Sequence, residues 1–194
     1  GCTPTIHFVE TSPVLKARQA QLHPDAVWHE DIAGLPDDAP LLIVANEFFD
    51  ALPVEQFVAT ADGWRRQMVT RDRGKFIAVP SIDPTEDRIG GTTSGFPEGT
   101  ILERSPVSVE WAGNLANRLA KQGGTLLTID YGYTRPGTGS TLQAIKDHMP
   151  ISPFDCPGTS DLTAHVDFHT LANIARNRLL AVSGPAQQGQ WLKS

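Results

Sequence analysis

The chain has 194 residues, 40% hydrophobic and 20% charged, a balance that belongs to a folded globular domain and sets aside disordered and fibrous classes. Its 22 acidic side chains against 16 basic ones leave a net charge of -6, which argues against a phosphate-tracking nucleic-acid surface and suits a cationic partner. Cys2 and Cys156 are too few and too isolated for a disulfide framework or a thiolate metal site, so they read as inert small residues in a reducing compartment.

The chain opens on Gly1-Cys2-Thr3-Pro4 with neither an initiator Met nor a charged-then-apolar leader, as an internal portion of a longer protein does. Residues 5–9 alternate and are rich in β-formers. Ser12-Pro13 then supplies an N-cap and a first-turn proline for a helix to about Leu22. Residues 26–29 read as a short second strand. The turn-rich stretch 34–40 precedes Leu41-Leu42-Ile43-Val44-Ala45, a third strand of the kind buried on both faces of a parallel sheet. No apolar run reaches the roughly 20 residues that a bilayer span needs.

From residue 54 the pattern changes to short β-like runs at 54–58, 64–69 and 75–79, with turns at Asp62-Gly63 and Arg73-Gly74. This predicts an antiparallel meander. Residues 81–99 hold Asp83-Pro84, Gly90-Gly91, Gly95 and Pro97 and read as a mobile loop of the kind that serves as a lid, so the insertion runs from about 54 to 99. Ser105-Pro106 starts a helix with Val109, Ala112, Ala116 and Leu119 on one face, and Gly123-Gly124 ends it. Residues 125–129 form another buried strand, which ends in Asp130-Tyr131-Gly132. Asp167 caps a last helix with Phe168, Leu171, Ala172 and Ala175 inward, and residues 179–182 read as a closing strand. Strands separated by helices give one α/β domain with a parallel sheet.

Open α/β sheets bind ligands beyond the carboxyl ends of their strands, and acids cluster at those positions here. Glu10 ends the first strand, where nucleotide-binding folds set an acid against ribose hydroxyls; a helix-proximal acid is the plain alternative. Asp31, after the second strand, can accept from an adenine amino group or sit in a surface turn. Asn46, Glu47 and Asp50 follow the third strand. A helical turn there puts both carboxylates on one side to clamp a guanidinium or ammonium group, the alternative being a network that caps loop backbone. Of Phe48 and Phe49 one is core and the other can face a cation, with core the default for each.

His165-Val166-Asp167-Phe168-His169 invites a metal reading, but the Glu that a zincin helix carries after its first His is absent, and a cap plus a surface His explains the pattern. Gly137-Thr138-Gly139-Ser140 lacks the Lys of a phosphate loop, and no Ser or Cys lies in a nucleophile elbow.

Five stretches occur in order: Phe8-Val9-Glu10-Thr11-Ser12-Pro13, Ala45-Asn46-Glu47-Phe48-Phe49-Asp50-Ala51-Leu52-Pro53, Ile129-Asp130-Tyr131-Gly132, Thr141-Leu142-Gln143-Ala144 and Asp161-Leu162-Thr163-Ala164-His165-Val166-Asp167-Phe168. Together, from Ile6 to Trp191, they closely resemble the MidA-like S-adenosylmethionine-dependent methyltransferases, the family of the mitochondrial complex I assembly-factor arginine methyltransferase. The resemblance implies a class I methyltransferase fold, a Rossmann-like α/β sheet with helices on both faces. It implies S-adenosylmethionine as cofactor and, for mitochondrial members, a protein arginine on a complex I subunit as acceptor. Carried onto this chain, Glu10 binds the cofactor ribose, Asp31 lies near the adenine, and Asn46 is a catalytic residue that faces the methyl acceptor and also contacts the cofactor. Glu47 and Asp50 face the acceptor, with Phe49, Asp130, Tyr131, His165 and Asp167 round the cleft.

Family members begin with a strand and Gly-rich loop that this sequence does not show, so the sheet is expected to be incomplete at the N-terminus. Two unpaired edges are expected between the strand ending at Glu10 and the one ending at Asn46. The bacterial cytoplasm is the expected compartment, with the mitochondrial matrix as alternative. An acceptor other than arginine, and an assembly or binding factor without turnover, stay open as competing functions.

Overall fold

The computed structural model describes residues 4–83, 85, 93 and 95–193. The elements run β1 (His7–Val9), α1 (Pro13–Leu22), β2 (Val27–His29), a 3-10 turn (Ile32–Gly34), β3 (Leu41–Asn46), β4 (Glu55–Thr60), β5 (Gly63–Asp72), β6 (Lys75–Pro80), β7 (Ile101–Arg104) and α2 (Pro106–Gln122). They continue through β8 (Gly124–Ile129), β9 (Gly132–Tyr133), β10 (Gln143–Lys146), β11 (Met149–Ile151), β12 (Asp161–Thr163), β13 (Val166–Asp167), α3 (Phe168–Arg176) and α4 (Gln188–Trp191).

Two parallel pairs form the α/β part. β1 pairs with β2 from His7 opposite Val27, and β3 pairs with β8 from Leu41 opposite Gly124 to Asn46 opposite Ile129. Among the described residues β1 has no partner besides β2, and β3 none besides β8. The helices begin where the Ser-Pro pairs put them: the Ser12 hydroxyl accepts from Leu15 N–H and the Ser105 hydroxyl from Ser108 N–H, each with proline in the first turn. Gly124 lies so close to β3 that a Cβ on it would meet the Leu41 carbonyl oxygen at 2.0 Å.

The core gathers Ile32, Ala45, Phe49, Ala112, Leu115 and Val166, with Ile43, Trp111, Leu126 and Leu171 packed on it. α2 turns Ala112, Leu115, Ala116 and Leu119 inward and is tied to the 35–39 turn by Arg118 and Gln122, which donate to carbonyls of Leu35, Pro36 and Ala39. Val109, expected on that inward face, lies 45% exposed; the buried stripe passes through Ser108 instead. β3 is buried on one side only, since Leu42 is 84% and Val44 68% exposed. No described element covers those two side chains, which is why the double burial expected of this strand is not seen.

The β-like runs from residue 54 form an antiparallel sheet of order β6-β5-β4-β7, with the turn Arg73-Gly74 left-handed at both positions, the geometry of a two-residue hairpin. Phe57, Ala59 and Trp64 make its own small core with Leu102. Pro84, Gly90 and Gly91 of the expected 81–99 lid lie outside the described residues, as does Cys2. Cys156 is exposed and free. A small antiparallel sheet of order β11-β10-β12 was not foreseen. The closing strand expected at 179–182 does not form: Leu179 is left-handed at φ 59° and Leu180 to Val182 run as irregular chain along an apolar groove, without a strand partner. Among the described residues no helix is long and apolar enough to cross a membrane.

Candidate functional site

β1 and β2 end side by side and deliver Glu10 and Asp31 to one edge. Glu10 is half-buried; its Oε1 accepts from Ser12 N–H at 2.8 Å and its Oε2 from the Gln19 amide at 3.2 Å. Gln19 in turn accepts from the Trp28 indole at 3.0 Å, so α1 and β2 together aim the carboxylate. Each oxygen keeps a free lone pair for a ligand hydroxyl. Asp31 is exposed and accepts from Ala33 N–H at 2.8 Å, the cap of the 3-10 turn.

At the end of β3 the chain turns sharply. Glu47 N–H donates to the Ile129 carbonyl, and Glu47 itself is left-handed at φ 46°, a strained conformation for a residue with a Cβ. The expected helical turn is therefore absent, and the two carboxylates differ in setting: Asn46 and Glu47 are exposed while Asp50 is 3% exposed. β8 ends alongside, and Asp130 holds the turn: its Oδ2 accepts from Phe49 N–H at 3.1 Å and Asp50 N–H at 3.3 Å, its Oδ1 from Tyr131 N–H at 3.0 Å. Burial, and then the charge of Asp50, push the Asp130 carboxyl above its ordinary value.

Asp50 receives the Tyr131 hydroxyl on Oδ2 at 2.5 Å, and its Oδ1 is buried with no partner. An unpaired buried carboxylate oxygen is costly unless a donor from outside meets it. Burial, and next the bond to Asp50, push the Tyr131 phenol up. Val166 N–H donates to the Tyr131 carbonyl, and β13 lies against β9 so tightly that a Cβ on Gly132 would meet the Val166 carbonyl oxygen at 2.0 Å. This brings the His165 ring edge-on to Tyr131 at 5.8 Å.

Two residues expected at the cleft, Phe49 and Asp167, line one cavity with His165 and also have structural partners. Phe49 is 3% exposed in the core, packed edge-on to Phe48 at 5.1 Å; the less buried ring is Phe48, which also meets Trp111 at 5.0 Å. Asp167 is occupied as the cap of α3, accepting from Thr170 N–H at 3.0 Å and the Thr170 hydroxyl at 2.7 Å. The second His of the suspected metal pair, His169, bonds Asn173 along α3 rather than joining His165. Among the described residues no three His, Cys, Asp or Glu side chains form a metal-binding group.

Two cavities flank the turn through Phe49 without including Asp50: a groove of about 400 Å³ against β8 and α3, and one of about 620 Å³ under Ser105, Tyr133 and His165. Residue-level reading missed Glu103, which accepts from Thr141 N–H, Leu142 N–H, the Thr141 hydroxyl and the Gln56 amide, and so anchors the segment entering β10. Glu103 sits in a strand far from those partners in sequence, so no local pattern marks it.

Residues 3–186 match the family described as "Putative S-adenosyl-L-methionine-dependent methyltransferase". The chain belongs to that family. Its quoted motifs are those of the MidA-like methyltransferases. Among curated members it is 33% identical over 178 residues to the human mitochondrial protein arginine methyltransferase NDUFAF7, covering 86% of this chain and 37% of that protein. It is 28% identical over 223 residues to the Xenopus tropicalis protein of the same name, covering 100% and 50%. The chain thus spans half or less of the length of these family members. A family structure from Burkholderia thailandensis, bound to S-adenosyl-homocysteine, superposes with a TM-score of 0.72 at 26% identity, covering 90% of this chain and 48% of that one.

Proposed function

We propose that this chain is the catalytic domain of an S-adenosylmethionine-dependent protein arginine N-methyltransferase serving respiratory complex I assembly. In that reading residues 1–194 are one domain with an insertion at about 54–99, and the two parallel pairs belong to one Rossmann-like sheet. The observation that carries it is Asp50: buried, held on one oxygen by Tyr131, and left with Oδ1 unpaired at the end of a parallel strand. The human and rat relatives named as arginine methyltransferases, and the cofactor product in the bacterial family structure, support the same reading.

The donors fit the cofactor. Glu10 offers a half-buried, pre-aimed carboxylate to ribose hydroxyls, Asp31 an exposed carboxylate at the neighbouring strand end, and Asn46 an exposed amide on the acceptor side. When bound, the cofactor supplies an electrophilic methyl group on a sulfonium. This chain's own part is positioning. An arginine guanidinium has a pKa above about 12 and is a poor nucleophile until its charge is drawn to one side. Glu47 and Asp50 hold it by charge-assisted bonds and draw that charge, leaving the opposite nitrogen with its lone pair toward the methyl carbon. Asp50 Oδ1, having no protein partner, is the atom that takes the substrate N–H and, as the new N–C bond forms, its proton.

His165 and the Tyr131 ring wall the acceptor side. The acceptor is an arginine side chain of a protein, a complex I subunit in mitochondrial settings; the compartment is the bacterial cytoplasm or the mitochondrial matrix. The test is methyl transfer by Glu47→Gln and Asp50→Asn proteins. Asp50→Asn is expected to slow transfer by about 100-fold and Glu47→Gln by about tenfold, since one is a buried and the other an exposed charge. Unchanged rates in both would refute these roles.

A further inference from the structure

We propose that Glu103 and Thr141 are positioning residues for methyl transfer: Glu103 holds Thr141, Thr141 holds the backbone of His165, and the segment 164–166 is thereby fixed against Asp50 and Tyr131. Neither residue touches the acceptor in this scheme. The proposal rests on the arginine-methyltransferase reading of Asp50.

Three successive amides carry the link. Ala164 N–H donates to the Asp50 carbonyl at 2.9 Å, His165 N–H to the Thr141 hydroxyl at 2.9 Å, and Val166 N–H to the Tyr131 carbonyl at 3.0 Å. The outer two grip the residue that bears the buried carboxylate and the residue whose hydroxyl donates to it. The middle one reaches out of that group to another part of the chain. Ala164 and Val166 are buried while His165 between them is exposed, with its ring edge-on to Tyr131. A shift of this segment therefore moves the Asp50 backbone, the Tyr131 backbone and the His165 ring together.

Proton counting shows how Thr141 is held in turn. Its hydroxyl has one proton, which goes to Glu103 Oε2 at 2.5 Å, and the same oxygen then accepts from His165 N–H. Glu103 Oε1 accepts from Thr141 N–H at 2.9 Å, Leu142 N–H at 3.3 Å and the Gln56 amide at 2.7 Å, so four donors converge on one carboxylate. Bonds to a carboxylate are about twice as strong as neutral ones, and a chain of bonds that ends on one is strengthened along its length. The segment 139–142 is strapped down at two more points, by Gly139 N–H on the Ile101 carbonyl at 2.8 Å and by the Gln56 amide on the Ser140 hydroxyl at 2.7 Å. Gln56 and Glu103 stand opposite each other in the β4–β7 pair. The four-stranded antiparallel sheet is thus joined to the acceptor side through Glu103, with Thr141 as the joint. Displacements on the order of 1 Å at a reacting centre are enough to slow a transfer, which gives this distant brace a kinetic role.

The test follows His165 itself. Carbon-13 at alanine carbonyls and nitrogen-15 at histidine amides mark one peptide bond in this sequence, Ala164-His165, because no other His of the six follows an Ala. Thr141→Val is expected to shift that amide resonance and speed its exchange with solvent. It should also slow methyl transfer at saturating S-adenosylmethionine by roughly fivefold, with KM for S-adenosylmethionine unchanged. The transfer assay uses labelled S-adenosylmethionine and, as acceptor, an extract of cells lacking the protein. Thr141→Ser keeps the hydroxyl and is expected to restore both readouts. Glu103→Gln must set an NH2 against one of the four donors and is expected to move both in the same direction; Thr141→Val carries the test if Glu103→Gln does not fold. A serine variant as slow as the valine variant, or a loss of thermal stability with the His165 amide or the rate unmoved, would overturn the positioning role. Arginine labelled at full rate by Thr141→Val overturns that role alone. Label in a residue other than arginine, slowed to the same degree by Thr141→Val, overturns the arginine reading alone.

Discussion

The two strand ends that make up this site are built differently. At the end of β1 and β2 the acids are held by their own neighbourhood: Glu10 by Ser12 and Gln19, Asp31 by Ala33. At the end of β3 and β8 the bonds reach across the chain, from Asp130 to the amides of Phe49 and Asp50 and from Tyr131 to Asp50. The first end is open and forms with its local elements. The second exists only once β3 and β8 have paired in register, and it buries its carboxylate as a consequence. In the proposed function the first end is the one that binds cofactor, through acids held locally, and the second is the one that aligns the nucleophile, through bonds that the whole fold enforces.

Substitutions at the two ends should therefore separate stability from affinity. The largest stability effect is expected from Asp130→Ala, which strips the acceptor from three backbone amides; a loss of about 2–3 kcal/mol in chemical denaturation is predicted. A loss under about 0.5 kcal/mol would mean that the turn holds without its clamp and would erase the contrast. Glu10→Gln should weaken S-adenosyl-homocysteine binding by about tenfold in calorimetry, the worth of one hydrogen bond to a charged group, and leave stability nearly unchanged. Asp167→Ala should cost about 1 kcal/mol as a lost helix cap and leave the cofactor affinity alone, which would confirm that Asp167 supports the acceptor side only by anchoring α3.

The smallest effect concerns pH. Burial, then the charges of Asp167 and Glu103, push the Tyr133 phenol from 10 up to about 12. The folded protein thus holds that proton more tightly than the unfolded chain. Its contribution to stability is fully present below pH 10 and is lost as pH climbs to about 12. Tyr133→Phe should flatten the alkaline limb of a thermal-stability profile between those values; an unchanged limb would place the alkaline sensitivity elsewhere.

The same local and long-range division decides how much was legible in the sequence. Ser12-Pro13 and Ser105-Pro106 marked their helices because cap and proline act within four residues. Asp167 was readable as a cap for the same reason, and Arg73-Gly74 as a hairpin turn. The acids at strand ends stood out because polar residues directly after apolar runs need a reason to be there. What the pattern concealed was each acid's partner. Nothing near Asp130 shows that its carboxylate is spent on amides some 80 residues away, and nothing near Glu103 shows that it fixes the entry to β10. Phe49 and Phe48 are adjacent and chemically alike, so only packing could assign Phe49 to the core. The run Leu179 to Val182 is apolar enough for a strand, but a strand needs a partner edge, and residue type alone does not supply one.

The most direct test of the account follows labelled methyl groups. The protein is incubated with methyl-labelled S-adenosylmethionine and an extract of cells lacking its gene, and the acid hydrolysate is resolved into methylated amino acids. The account predicts label in methylated arginine with the unaltered protein and almost none with Asp50→Asn. Label in another residue, or equal label in arginine with and without the Asp50 carboxylate, would contradict it.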